Sequence, residues 1–189
     1  MGLEWNALIV GQLEFYWDVH LRPRLDDLTD DEYLWEPAHD SWNLRRDEAG
    51  NWVMDWAWPQ PQPAPVTTIA WRMMHIAATG FANRAGAFFG ADPLPDADMN
   101  DPRRFPASMP STAADGVAYL EQAYRAWMDG ISALDREAMA RKLGPKGGQY
   151  ADDTMADLIV HINREVMHHG GEIGLLRDFY RRRNGGLTV

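Results

Sequence analysis

The chain has 189 residues, 46% of them hydrophobic, and a formal net charge of −10. It is long enough to bury one substantial core, and it lacks the basic surface that neutralising nucleic-acid phosphates requires. It contains no cysteine, which excludes disulfides, thiolate metal ligands and a cysteine nucleophile, so any thiol chemistry must use an external thiol.

No apolar run approaches the length of a membrane span. The start, Met1-Gly2-Leu3-Glu4-Trp5, has no basic stretch leading into an apolar one, and Asn6 stands where a myristoylation motif needs Ser or Thr. The expectation is a cytoplasmic protein with a small-molecule substrate and neither nucleic acid nor membrane as partner. The cluster Arg181, Arg182 and Arg183 reads as cations suited to the end of a helix dipole.

A first helix is predicted from about Leu3 to Leu25. Ile9, Leu13, Tyr16 and His20 share one face, and Trp5, Leu8, Phe15 and Val19 the adjoining one. Pro23 ends or kinks it. Thr29 then caps a short turn, with Glu32 as its reciprocal partner, and Pro37 stops that turn. Residues 37–65 form a long connection containing Trp42, Trp52, Trp56 and Trp58. So many indoles outside a helical pattern predict that this segment covers one mouth of the fold. Plugging one end of the core is the plainer alternative.

The second helix is expected from Thr67 or Thr68 to about Phe89, with Gly90 at its end and His75 in an otherwise apolar stretch. After a second connection over 90–110, a third helix starts at Ser111 or Thr112. Its seam is Val117, Leu120, Tyr124, Trp127, Ile131 and Leu134. Gly144-Pro145-Lys146-Gly147-Gly148 breaks the pattern. A fourth helix, capped by Asp152 or Asp153, runs to about Arg182 before a frayed Gly185-Gly186 tail. Its stripe is Met155, Leu158, Ile162, Val166, Ile173 and Leu176. Four amphipathic helices joined by long connections predict an all-α fold: a four-helix bundle with crossovers, one domain over 1–189.

The chemistry concentrates on the fourth helix. His161, Glu165 and His169 stack on consecutive turns beside the apolar stripe, where an ionised carboxylate needs a compensating partner. Joined by His75, Glu165 and His169 make a three-ligand set for a divalent metal with one position open. Zinc fits it best, and nickel, iron and manganese are the alternatives. A lone histidine in a helix is also commonly a core residue bonded to a carbonyl, and this reading applies to His75 and to His20. His161 is either a replacement ligand or a group that tunes the site. His20 is the candidate proton donor, and Trp71, Tyr16 and Trp42 are candidates for lining a pocket around a cofactor. His168 is placed to pair with Glu172.

Three stretches of the sequence resemble the DinB/YfiT-like metalloprotein superfamily. They are Leu21-Arg22-Pro23-Arg24-Leu25 with Leu28-Thr29-Asp30-Asp31-Glu32-Tyr33, then Thr67-Thr68-Ile69-Ala70-Trp71-Arg72-Met73-Met74-His75, and finally His168-His169-Gly170-Gly171-Glu172-Ile173. The last is similar to a closing His-His-Arg-Gly-Gln-Ile pattern, from which Gly170 and Glu172 depart. The resemblance implies a metal at His75, Glu165 and His169. Glu165 stands where most members have His, although mycothiol-dependent maleylpyruvate isomerases of this superfamily use a His, Glu, His set. It also implies a metal-dependent transferase or isomerase using a low-molecular-weight thiol such as mycothiol or bacillithiol. Metal-dependent hydrolysis and non-enzymatic binding of a metal or small molecule are the alternatives. A homodimer is compatible with all three.

Overall fold

The computed structural model describes residues 4–183. Leu3, expected at the head of the first helix, and the Gly185-Gly186 tail lie outside the described residues. Helix α1 spans Trp5–Tyr16 and continues as a wide π-helical turn over Trp17–Leu21, then a tight 3-10 turn over Arg22–Leu25 containing Pro23. The short α2 is Asp30–Tyr33, and the hairpin strands are β1, Leu44–Arg46, and β2, Trp52–Met54. A second rod joins α3, Ile69–Met74, through a π-helical stretch over His75–Ala82, to α4, Asn83–Phe88. Then come α5, Ala113–Ser132, the short α6, Arg136–Ala140, and α7, Met155–Arg182. The fold is all-α, and the hairpin is a small addition to it.

Helix α1 packs on α5 and α7, and the second rod packs on the same two helices, which gives four rods around a shared core. On α7 all six residues of the expected stripe, from Met155 to Leu176, are buried. On α5 Leu120, Trp127 and Ile131 are buried, and Val117, Tyr124 and Leu134 pack partly buried against them. Helix α1 departs from expectation. Leu13, Trp17 and Leu21 point inward, whereas Trp5, Leu8, Phe15 and Val19 are exposed. Within α1 the buried positions are Val10 and Leu13, so the adjoining face with Trp5, Leu8 and Phe15 turns to solvent. The π turn then changes the winding only from Trp17 on, where Val19 is exposed.

Local signals set most helix starts. Thr68 Oγ1 accepts from Trp71 N–H, and Thr112 Oγ1 from Asp115 N–H. The cap of α7 is Thr154 rather than Asp152 or Asp153, and with Asp157 it forms a reciprocal capping box. Thr29 caps α2 as expected, but Glu32 does not reach back to it. Glu32 turns inward, where Arg177 Nε donates to its Oε1 at 2.8 Å.

The first connection contains the hairpin, with Leu44 opposite Met54 and Arg46 opposite Trp52. Three-residue strands leave no usable alternation in the sequence, and Gly50, at φ +88°, closes the turn. Trp52 C=O accepts from Met109 N–H at 2.7 Å, and Ser108 Oγ accepts from Trp52 N–H at 3.0 Å. The two long connections are thereby laced together beside the second rod and α7. Among the described residues no helix is long and apolar enough to cross a membrane.

Candidate metal centre

The second rod and α7 bring His75, Glu165 and His169 together. Their ligand atoms all lie within 4.8 Å of one another. Glu165 Oε2 is 3.6 Å from His75 Nε2 and 3.5 Å from His169 Nε2. Around a tetrahedral ion with bonds of about 2.0–2.2 Å, neighbouring ligand atoms stand about 3.3–3.6 Å apart. The observed spacing therefore fits a divalent cation, and two imidazoles with a carboxylate are the donor set of an open transition-metal site.

Each imidazole is held from behind. His169 Nδ1 is 2.8 Å from Glu172 Oε2, and Arg72 forms an ion pair with that carboxylate. Arg72 Nη1 also lies 3.2 Å from His169 Nδ1, but one nitrogen cannot donate to Glu172 and accept from Arg72 together. The shorter contact decides: Nδ1–H donates to Glu172 and leaves the Nε2 lone pair toward Glu165. Thr79 Oγ1 lies 3.2 Å from His75 Nδ1 and also bonds the His75 carbonyl. Trp71 stacks flat on His75, with ring centres 5.1 Å apart and planes 7° apart, and its Nε1 donates to Asp55 C=O at 2.8 Å.

Burial first, then the His75 and Arg72 charges, pushes the His169 pKa down to about 4. Interaction with the His75 ring, foremost, and attraction to His161 and His169 hold Glu165 at about 2 against the cost of burial. At neutral pH the site therefore offers a neutral His169 and an ionised Glu165, the protonation states metal binding needs. A second group, His168, His169 and Glu172, also has ligand spacing. It shares His169 and uses the exposed His168, whose Nε2 pairs with Glu172 at 3.4 Å.

The site opens on a cavity of about 510 Å³. Trp52, Trp56, Met99 and Phe105 wall it from the connections. The second rod presents His75 and Ile76, Thr79 and Gly80, then Asn83 and Arg84. The pairs recur every four residues, as π winding dictates. His161 and Glu165 line the cavity from α7.

A sequence model of the DinB superfamily matches residues 12–173. The chain belongs to the DinB superfamily. Among curated proteins and among solved structures, none matches it. The stretch matched by the DinB model contains His75, Glu165 and His169, as well as Arg72, Thr79, Arg84 and Glu172 around them.

Not every expected residue reaches this centre. His161 lines the cavity with Nδ1 4.0 Å from Glu165 Oε1, and burial foremost lowers its pKa. His20 is exposed, meets Phe15 edge-on and Tyr16 at a tilt, and does not line the cavity. It sits inside the π turn, four residues on from Tyr16 at the end of α1. Tyr16 packs against α7, donating to Met167 C=O at 3.2 Å. Trp42 and Trp71 pack against each other at a tilt, with Trp71 behind His75, instead of lining the cavity. Trp52 and Trp56 are the indoles at the cavity, whereas Trp58 is 87% exposed. Arg72, Thr79 and Arg84 were not expected at the site. Arg72 and Thr79 flank His75 at helical spacing, a signal the sequence does contain.

Proposed function

We propose that this DinB-superfamily chain is a metal-dependent enzyme that activates a low-molecular-weight thiol, such as mycothiol, for transfer to a small electrophile or for thiol-assisted isomerisation. Zinc is the proposed ion, held by His75 Nε2, His169 Nε2 and Glu165. The observation that carries the reading is the convergence of those three ligand atoms on a wide, aromatic-walled cavity. A divalent ion bound there would lower the pKa of an incoming thiol and favour its thiolate at neutral pH.

The chain's own residues do the rest. Glu172 and Thr79 fix the two imidazoles, so neither ring turns when a ligand arrives. Trp52, Trp56 and Phe105 exclude water from the reacting pair and supply apolar area for the electrophile. His161 stays neutral at pH 7, and Arg164 Nη2, 3.2 Å from its Nδ1, donates there, which leaves the ring proton on Nε2. That Nε2–H is the proton His161 has to donate.

Protein purified without a His tag should contain about one divalent ion per chain by elemental analysis, lost in His75→Ala and in His169→Ala. Metal-loaded protein should conjugate mycothiol, bacillithiol or glutathione to model electrophiles faster than chelator-treated protein. Equal rates across the panel would refute thiol transfer, and unchanged metal content in the double His variant would refute the ligand set.

A further inference from the structure

Among the described residues, the arginines with buried side chains pair with a carboxylate, except Arg84. Arg177 is clamped on Glu32 and on the carbonyls of Arg24 and Asp26. Arg104 grips Asp92 and three carbonyls, and Arg72 pairs with Glu172. Arg84 is only 9% exposed and lines the cavity, yet its Nε has no hydrogen-bond partner. Its one acceptor is Asn100 Oδ1, 3.5 Å from Nη2, and it forms no ion pair among the described residues. A guanidinium with five N–H donors and a full charge thus lines a cavity shared with Ile76, Met99 and Phe105, with one long contact to a neutral amide and its Nε unpartnered.

Leaving a buried cation uncompensated is costly, and structures retain the arrangement where a ligand completes it. We propose that the cavity binds an organic monocarboxylate, with the Arg84 guanidinium receiving its carboxylate and the aromatic wall receiving its apolar body. The planar fork of a guanidinium matches a carboxylate through two parallel N–H···O bonds. One cation suits one negative charge, and the −10 charge of the chain repels polyanions. Burial pushes the Arg84 pKa down to about 10, with the Glu165 charge opposing, so the side chain is cationic at neutral pH. Glu165 does not serve as its partner, since that carboxylate lies between the two imidazoles. The inference rests on this cavity being the substrate site of the proposed reaction, and it narrows the electrophile to one that carries a carboxylate.

The test compares 3-phenylpropionate with 3-phenylpropionamide by isothermal titration calorimetry, on protein as purified and after chelator treatment. The acid should bind at least tenfold more tightly than the amide in both preparations. Arg84→Gln should bring the ratio to within about twofold, and Arg84→Lys should restore part of it. Equal affinity for acid and amide in the natural protein overturns the proposal without recourse to any variant that fails to fold. So does a lack of binding by the acid. A preference that disappears on chelation assigns the carboxylate to the metal and overturns it as well. A failed conjugation assay alongside an intact acid preference would instead count against thiol transfer alone.

Discussion

His169 faces a carboxylate at both ring nitrogens: Nδ1 lies 2.8 Å from Glu172 Oε2, and Nε2 lies 3.5 Å from Glu165 Oε2. The first contact fixes which nitrogen keeps its proton and so which one is free for a metal. Removing the acceptor in Glu172→Ala should weaken metal binding by roughly 10–100-fold without unfolding the protein. Glu172→Gln retains an acceptor oxygen and should recover most of that loss. Competition against a chelator dye measures both, and equal affinities for Ala and natural protein would remove Glu172 from the site.

The Glu32–Arg177 pair is almost fully buried, with side-chain exposures of 3% and 2%. Breaking such a pair from one side strands a charge, so Glu32→Leu should cost about 3–5 kcal/mol. The double variant Glu32→Leu with Arg177→Met should be more stable than either single variant. Urea denaturation monitored by circular dichroism gives all three values. Additive losses would mean that the pair does not couple.

Asp92 anchors the second connection through Arg104 and Lys146. Its hydrogen bonds from Arg104, then from Lys146, push its pKa well below the usual carboxylate value of 3.8. The unfolded chain therefore binds this proton more readily than the folded one. The stabilisation is present in full above pH 3.8 and is lost as pH falls through the folded value. The difference in denaturation midpoint between natural protein and Asp92→Asn should be constant from pH 5 to 7 and shrink toward pH 2. A difference that grows on acidification would reverse the assignment.

Gly170 stands where the resembling motif has Arg, and the structure gives the reason. A Cβ there would lie 2.5 Å from Tyr16 Oη and 2.9 Å from its Cε1. Glycine to alanine inside a helix ordinarily stabilises by roughly 0.5–1 kcal/mol. Here Gly170→Ala should destabilise by about 1–3 kcal/mol, and Tyr16→Ala should abolish that extra cost. A stabilised Gly170→Ala protein would show that the ring moves aside freely.

The readable parts of the sequence were those where one period persists. The stripe of α7 gave its buried face residue for residue, and that register placed Glu165 and His169 together. The α5 seam was equally plain. Arg84 escaped because it is nine residues from His75. At 3.6 residues per turn that spacing falls on opposite faces, whereas at roughly 4.4 per turn it falls on one. The position of His20 is hidden by a change of winding at Trp17–Leu21, and the apolar residues on both faces of α1 give no sign of which face turns inward. Glu32 has the local signature of a capping residue because its partner Arg177 is 145 positions away, a pairing that no local pattern contains.

The π stretch at His75–Ala82 makes the length of the chain a chemical variable. Deleting one residue from its middle would let the rod close into ordinary i→i+4 bonding, and Arg84 would swing by roughly 60° about the axis relative to His75. The histidine would stay with Glu165 and His169 while the guanidinium left the cavity. A one-codon deletion is thus a route by which such a protein changes what it recognises while keeping the ligand set intact. Composition alone does not record that choice.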